Sequence, residues 1–334
     1  MSTGRQPRFS PGSTVDGRYR IRRLMGRWQV GTAYAATPLR GTESVTLLVM
    51  DVRPAAVPQY LRWVRIEADQ QRVVPAGLLT PTDGGHLSGD TVYMVLGGLR
   101  GVPLATRIRQ DGSLDEVVAI RFFEALARML GRAHAEGVCL GSVRPTNVFL
   151  DGDPEAPAPV VFDPGFARGL SRLLDYAPRE AERFVAPDRH PEMPSAADDI
   201  FSLGALLYFA LTARKPPPVD REGRRVVTPP SWKRHDSTLC SYIDPVVLKA
   251  MAPQARDRHD LCEELADELA ALDEVFRLSP DARAVLGLQG VPAGAERRRH
   301  THPHYLHDLL GLPEDRDDDI APSGEIEIAD PDEP

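Results

Sequence analysis

Two side chains near the middle of this 334-residue sequence could hold a divalent cation. Asn147 and Asp163 lie sixteen positions apart, within the stretch from His134 to Arg168. The composition of this stretch predicts a helix end, a polar loop, two short strands and a second loop. Amide and carboxylate oxygens are ligands that suit Mg²⁺. The stretch therefore predicts two loops that together could bind a metal ion.

The elements around these loops change character near residue 97. Before it, the sequence predicts five strands and one helix, and after it mostly helices. Ser113 is the predicted N-cap of a long helix that Gly137 ends. Residues 196–213 are apolar nearly all round and predict a buried helix. The other predicted elements include helices over 59–73, 241–251 and 260–276 and strands over 78–87 and 91–96.

Composition divides the chain into unequal regions. The predicted regions are a disordered lead-in (1–16), a β-rich lobe (17–96), a helical lobe (97–278) and a flexible tail (279–334). Residues 313–334 contain ten Asp or Glu and one arginine, whereas the whole chain has a formal charge of −8. The acidity is thus a property of the tail. It gives no evidence for a nucleic-acid partner, and we predict none.

The three cysteines, Cys139, Cys240 and Cys262, are scattered and lack metal-ligand spacing. Such a pattern is typical of reduced thiols in the cytosol. No apolar run approaches 18 residues, and the first residues lack the apolar core of a signal peptide. We therefore expect a cytoplasmic protein without a membrane span.

The two loops resemble a known pair of motifs. Residues 140–147 read LGSVRPTN, and residues 163–165 read DPG. They resemble the catalytic loop H-R-D-L-x-x-x-N and the metal loop D-F-G of protein kinases. The resemblance, which covers residues 19–272, is to bacterial serine/threonine kinases. It implies an α+β fold of two lobes, a five-stranded antiparallel N-lobe and a helical C-lobe.

The resemblance fails at the positions that perform phosphoryl transfer. Ser142 stands at the catalytic aspartate, Leu48 at the phosphate-binding lysine and Arg144 at the loop lysine. Loss of a positioned base typically costs about 10²–10⁴-fold in rate. Loss of the lysine removes part of the electrostatic stabilisation on which transfer depends. Glu67, which the resemblance implies as the partner of that lysine, would turn to solvent or find an arginine.

The resemblance also implies a residual nucleotide site. Trp28 replaces the middle glycine of the phosphate-covering loop, and could plug the site or lie exposed on the hairpin. Residues 97–99 form the linker whose backbone would bond an adenine. The cofactor of such a site would be ATP with Mg²⁺ or Mn²⁺, and Asn147 and Asp163 would hold the metal ion. The residual set is Gly26, Trp28, Gly31, Leu96, Gly98, Asn147 and Asp163.

The residues that the fold needs are better retained. Asp188, in FVAPD, resembles the acid of a Y-M-A-P-E motif, and Arg258 resembles the arginine that pairs with it. Asp199 resembles the aspartate that holds the catalytic-loop backbone. These three and Glu67 are predicted to be structural.

The sequence therefore predicts a pseudokinase that binds other proteins, as a scaffold or as an allosteric regulator of an active kinase. One alternative is a divergent kinase that uses Arg27, Arg65 or Arg144 as its cation. Another is a nucleotide sensor that binds ATP without turnover. A third places the function in the tail, where residues 324–328 alternate polar and apolar. That segment could add a strand to a sheet edge, or only improve solubility.

Overall fold

The computed structural model describes residues 8–28, 30–70, 74–174, 183–190, 193–218, 227–233 and 242–277. The strands are β1 (Thr14–Val15), β2 (Tyr19–Trp28), β3 (Gly31–Pro38), β4 (Val45–Asp51), β5 (Leu78–Leu79), β6 (Pro81–Ser88), β7 (Thr91–Gly97), β8 (Val102–Pro103), β9 (Val148–Asp151) and β10 (Ala158–Phe162). The helices are α1 (Val57–Gln70), α2 (Leu104–Asp111), α3 (Glu116–Ala135), α4 (Ser171–Leu174), α5 (Ala196–Thr212), α6 (Pro230–Lys233), α7 (Ile243–Ala250) and α8 (Cys262–Arg277).

An antiparallel sheet forms the first lobe, with the strand order β1-β2-β3-β4-β7-β6. It contains the five predicted strands, except that the one predicted over 78–87 is divided into β5, which pairs in the second sheet, and β6. Strand β1 adds a sixth through the pairs Thr14–Arg20 and Val15–Tyr19. Val15 is buried, and Phe9 packs edge-to-face against Tyr34. Residues 14 and 15 thus belong to the sheet and the residues before them pack beside it, so the prediction of a disordered lead-in is wrong for residues 8–16. Residues 1–7 lie outside the described ranges.

Helix α1 packs across this sheet. Val57, Tyr60 and Val64 recur at helical spacing and are all buried, which explains why the helix lies on the sheet. The Tyr60 hydroxyl also donates a 2.7 Å hydrogen bond to the Tyr93 carbonyl of β7. The helix begins two residues before the predicted range 59–73, whose last three residues are not described.

The long helix of the second lobe begins at a different cap from the predicted one. Asp115, not Ser113, is the N-cap of α3, and its carboxylate accepts from the N–H groups of Val117 and Val118. Both residue types are good caps. The chain turns into the helix only after Asp115, so the Ser113 prediction is wrong. Gly137, at φ 78°, follows the helix end as predicted.

The buried helix predicted over 196–213 is confirmed as α5. Ser195 and Asp198 form a capping box at its start, and every residue from Asp198 to Thr212 is buried. Gly204 allows close packing against α7, because a Cβ there would lie 2.7 Å from the Cβ of Ala250. Every helix within the described ranges is too short or too polar to cross a bilayer.

A second, mixed sheet places the two predicted loops. Its strand order is β5-β10-β9-β8, with β5 and β10 parallel. Asn147 immediately precedes β9, and Asp163 immediately follows β10. Because β9 and β10 pair antiparallel, the start of one lies beside the end of the other. The two loops therefore meet at one end of the sheet.

Candidate functional site

The first loop is held by the beginning of α5. One carboxylate oxygen of Asp199 accepts from the Leu140 N–H at 2.8 Å, and the other from the Gly141 N–H at 2.7 Å. His134 Nε2 lies 2.9 Å from the same carboxylate, which is fully buried. Asp199 thus makes the backbone contacts that the kinase resemblance implies.

Asn147 closes this loop on itself. Its Nδ2 donates to the Ser142 carbonyl at 2.9 Å, and its Oδ1 accepts from the Arg144 N–H at 2.6 Å. Asn147 and Ser142 are each 6% exposed. The side chain that could ligate a metal therefore already bonds loop backbone at both ends. Ser142 supplies a hydroxyl where a kinase has a carboxylate.

Arg168 connects the second loop to α1. Its Nη2 donates to Glu67 Oε2 at 2.6 Å, its Nε bonds the same carboxylate, and its Nη1 pairs with Asp163 Oδ2. The other Asp163 oxygen accepts from the Gly165 N–H at 3.0 Å. Glu67 is 4% exposed and Asp163 is 2% exposed. Arg168, Glu67 and Asp163 are hereafter the Arg168 cluster.

Glu67 has thus found an arginine, one of the two outcomes expected for it, and that arginine is none of the three considered as the substitute cation of a divergent kinase. Arg27 and Arg65 are exposed. Arg144 follows Ser142 in the first loop, and Arg168 lies on the turn after Asp163. Nothing in the periodicity distinguishes Arg168, because it lies in an irregular turn. Its position five residues after Asp163 is the one signal that could have identified it.

The charges of the Arg168 cluster are balanced only in part. Burial disfavours the charged form of Arg168, but Asp163 and Glu67 outweigh burial and raise the pKa of the guanidinium. Burial also raises the pKa of Glu67, against the opposing pull of Arg168. One cation therefore serves two buried carboxylates. Removal of that cation would leave both acids without it.

The chain beside the cluster is packed against α1. Trp63 Nε1 donates to the Arg168 carbonyl at 3.0 Å. Gly165, at φ 82°, lies beneath the same indole, where a Cβ would come within 2.6 Å of its Cζ2. Leu170 and Leu173 are buried in the apolar core beneath α1. These contacts fix the turn that presents Arg168 to Glu67.

Leu48, at the lysine position, belongs to an apolar cluster that joins both lobes. Leu48 and Leu96 are fully buried, and Phe149 and Phe162 contribute from the second sheet. We call this set the cleft cluster. Its buried members are Met25, Ala33, Leu48, Met50, Val52, Ala56, Val57, Tyr60, Val64, Val92, Met94, Leu96, Phe149, Val160, Phe162, Leu170 and Leu173.

The hairpin that would cover a phosphate is a tight turn. Trp28 pairs with Gly31 across it, and Val30 packs against the cleft cluster. A side chain at Gly31 would meet the Val49 carbonyl at 2.2 Å, whereas Gly26 adopts φ 156°. The Trp28 side chain lies outside the described parts, so the plug hypothesis stays a prediction.

The linker between the lobes is bonded to β4. The Leu99 N–H donates to Thr46 Oγ1 at 3.0 Å, and Thr46 is 1% exposed. Gly97 pairs with Val45 in the sheet, and a Cβ on Gly98 would meet the Ser44 carbonyl at 2.6 Å. A linker N–H that could bond an adenine is therefore already occupied within the chain.

Arg258 and Asp188 form the ion pair that the resemblance implies. The Arg258 side chain is fully buried and also donates to the carbonyls of Ala252 at 2.8 Å and Ala197 at 3.0 Å. Its guanidinium lies 5.1 Å from the ring centroid of Phe201. This pair ties three segments of the second lobe together.

The structure also gathers three groups that the sequence keeps apart. His134, Cys139 and Asp199 each place a ligand atom within 4.8 Å of the others. Burial and the nearby carboxylates of Asp199 and Asp198 raise the pKa of Cys139 to about 11. Cys139 and Cys262 are free thiols, and Cys240 lies outside the described ranges.

Comparison with known proteins identifies relatives of this architecture. No family model matches the chain. Serine/threonine-protein kinase PknA of Mycobacterium tuberculosis is 27% identical over 220 residues, which are 61% of this chain and 49% of PknA. Serine/threonine-protein kinase PknB of Mycolicibacterium smegmatis is 27% identical over 289 residues, 81% of this chain and 45% of PknB. The chain therefore spans about half the length of these curated relatives.

Solved structures show the same fold. A crystal structure of the Mycobacterium tuberculosis PknI kinase domain has a TM-score of 0.60 and 21% identity, and covers 79% of this chain and 99% of that domain. The apo form of PpkA-294 has a TM-score of 0.63 and 19% identity, with coverage of 78% and 99%. The predicted α+β fold is confirmed: this chain has the two-lobed protein-kinase fold, and its homologues are bacterial serine/threonine protein kinases.

Proposed function

We propose that this chain is a pseudokinase, a protein with a kinase fold that does not transfer phosphate. The observation that carries the proposal is the Arg168 cluster. Arg168 occupies both the acid that would pair with a catalytic lysine, Glu67, and the acid that would hold the metal, Asp163. An active kinase needs these two carboxylates for other partners. In this chain they neutralise an internal arginine.

The remaining groups support the same proposal. The residues present fit magnesium–nucleotide poorly, because both ends of the Asn147 amide bond its own loop and the Leu99 N–H bonds Thr46. Leu48 lies in apolar surroundings where a kinase needs a cation, and Ser142 replaces the base. Phosphoryl transfer depends on positioning and electrostatic stabilisation, and Leu48 and Ser142 supply neither a cation nor a carboxylate at the two positions where a kinase has them.

The proposed activity is protein binding in the cytoplasm, as a scaffold or as an allosteric regulator of a partner such as an active kinase. Its support is the contrast between retained and lost residues. Asp199 still anchors its loop, and Asp188 still pairs with Arg258. Selection for a stable two-lobed shape without phosphoryl transfer would keep these contacts.

A thermal-shift measurement of the full chain with ATP, with and without Mg²⁺ or Mn²⁺, tests the proposal. A ligand at 100 times its dissociation constant stabilises a fold by about 2.7 kcal/mol, which a melting curve resolves. We expect no shift at millimolar ATP. We also expect no transfer of label from ATP to a generic protein substrate.

Two other outcomes of these measurements would favour one of the alternative functions. A metal-dependent shift without transfer would favour a nucleotide sensor. Transfer would favour a divergent kinase, a reading consistent with the kinase relatives. The near-isosteric variant Asp163→Asn distinguishes specific transfer from a contaminating kinase, because only activity of this chain should disappear with it. Circular dichroism checks that the variant remains folded.

A further inference from the structure

The outer edge of β2 is only partly covered. Strand β1 pairs with Tyr19 and Arg20, and the loop before it extends the pairing through bonds from the Gly12 N–H to the Ile21 carbonyl and from the Ile21 N–H to the Ser13 carbonyl. From residue 22 to residue 28, no strand within the described ranges pairs on this side. Unpaired N–H and C=O groups of an edge strand can accept a further strand.

This edge carries an unusual concentration of positive charge. On the same lobe, Arg18 pairs with Asp83, and Arg8 lies 3.6 Å from Asp51. Five other arginines on β2 and on the turn after β3 are exposed, and none has a carboxylate within 4.0 Å among the described residues. They are Arg20, Arg22, Arg23, Arg27 and Arg40. We call them, with Leu24, the basic edge.

An irregularity in β2 turns consecutive side chains outward. The register with β3 shifts between Ile21 and Arg23, so that Arg22 has no opposite residue. As a result Arg22, Arg23 and Leu24 are all exposed, and Leu24 is an apolar side chain with 37% exposure. The edge therefore combines cations, an apolar group and free backbone groups.

A shallow, open depression adjoins this edge. Arg20, Arg22 and Leu39 line a space of about 180 Å³, together with Thr37, Pro38 and Gly41. Leu39 is 47% exposed. An apolar side chain flanked by carboxylates would match this combination of two guanidinium groups and an exposed leucine.

The chain contains one segment with the complementary chemistry. We propose that the acidic segment 313–334 docks on the basic edge within the same molecule, adding residues 324–330 as a strand beside β2. That segment has ten carboxylates and one arginine. Glu325 and Glu327 alternate with Ile326 and Ile328, so a strand would present carboxylates on one face and isoleucines on the other.

The connection is long enough. Forty-eight positions separate Arg277, the last described residue, from Glu325. A coil of this length spans roughly 40 Å on average, and a fully extended chain far more. The docked segment would neutralise the arginines and cover an edge that would otherwise be available to other chains. This inference does not depend on whether the chain transfers phosphate.

Hydrogen–deuterium exchange of the full chain tests the docking. We expect those amides of residues 22–28 that point away from β3 to be protected in the wild type. They should exchange at least about tenfold faster when Glu325, Glu327 and Asp330 are changed to Lys. The edge variant Arg22→Glu/Arg23→Glu/Arg27→Glu should lose the same protection. Combining the two sets reverses both charges and should restore it.

The matched control changes the same number of charges elsewhere. Arg65→Glu/Arg109→Glu/Arg132→Glu alters three exposed arginines outside the basic edge and should leave exchange at 22–28 unchanged. Unchanged exchange in the Glu325, Glu327 and Asp330 variant would overturn the proposal. So would a charge swap that fails to restore protection. Protection that is lost on dilution would assign the segment to a second copy and overturn docking within one molecule.

Discussion

At the scale of single residues, the cation that pairs with Glu67 is Arg168, which lies far in sequence from position 48, where a kinase has its lysine. A cation on β4 would reach Glu67 from the sheet, but Leu48 cannot do so. Arg168 reaches the same carboxylate from the turn after Asp163, and its planar guanidinium bonds two acids at once. This geometry stabilises one arrangement of the cleft, in which both acids are paired with a cation of the same chain.

Removal of Arg168 should therefore be costly. We expect Arg168→Met to lower the free energy of unfolding by about 3–5 kcal/mol, because Glu67 and Asp163 would remain buried without their cation. Urea denaturation followed by circular dichroism measures the loss. Arg62→Met, an exposed arginine on the same helix as Glu67, is the control and should change stability by less than about 0.5 kcal/mol.

The triple variant Arg168→Met/Glu67→Gln/Asp163→Asn checks the electrostatic cause. It removes the acids together with their cation, so it should recover a large part of the lost stability. If the triple variant were as unstable as Arg168→Met alone, packing of the guanidinium and not its charge would be responsible.

Cys139 gives a prediction about pH. Its pKa of about 11, against an ordinary value of 9.0, implies a thiolate fraction roughly 100-fold smaller at neutral pH. Alkylation by iodoacetamide should therefore be slow at pH 7.5 and rise about tenfold per pH unit up to the pKa. Residue-resolved mass spectrometry measures the rate at Cys139, with free cysteine as reference. A rate at pH 7.5 equal to that of free cysteine would contradict the shift.

At the scale of elements, the start of α3 distinguishes two candidate N-caps that lie two positions apart, Ser113 and Asp115. Asp115→Ala should cost about 1 kcal/mol, because the N–H groups of Val117 and Val118 lose their acceptor. Ser113→Ala should be nearly neutral, since α3 begins after Asp115. Thermal unfolding of both variants gives the comparison. Equal losses would indicate that both residues contribute to the helix start.

The same region shows what the sequence could predict. A long run that is apolar nearly all round predicts a buried helix, and α5 is one. Ser113 and Asp115 have similar cap preferences, so only backbone geometry distinguishes them. Strand β1 escaped prediction because two residues, one of them buried by pairing with β2, leave no periodic signal.

The sequence predicted some contacts of the candidate site and not others. The roles of Asp199 and Asp188 follow from motifs that keep their order along the chain, and the structure makes the corresponding contacts. The partner of Glu67 does not follow from any motif. Arg168 lies 101 positions away and reaches Glu67 only because α1 packs on the turn after Asp163. Contacts made by tertiary packing across an irregular turn have no local sequence signature.

At the scale of the whole molecule, the two lobes share one buried apolar cluster. The cleft cluster takes residues from the first sheet, from α1 and from the second sheet, with Leu48 and Leu96 at 0% exposure. The Arg168 cluster and the Thr46–Leu99 hydrogen bond add polar contacts across the same boundary. The two lobes are therefore joined by contacts that no ligand needs to complete.

From these contacts we predict that placing the kinase residues at positions 48 and 142 will not be enough to produce phosphoryl transfer. We expect Leu48→Lys/Ser142→Asp to show no transfer of label from ATP above background. Arg168 would still hold Asp163, and the Leu99 N–H would still bond Thr46. The lysine would also enter apolar surroundings, lowering the free energy of unfolding by several kcal/mol. Leu48→Met, a change of similar volume, should cost less than about 1.5 kcal/mol.

Adding Arg168→Met to Leu48→Lys sharpens this test. It frees Glu67 to pair with the new ammonium, so the double variant should be more stable than the sum of the two single losses predicts. A double-mutant cycle by urea unfolding measures this coupling. Strict additivity would mean that the Leu48 side chain does not face Glu67. Transfer by Leu48→Lys/Ser142→Asp alone would show that the contacts of Arg168 and of the Leu99 N–H do not by themselves prevent phosphoryl transfer.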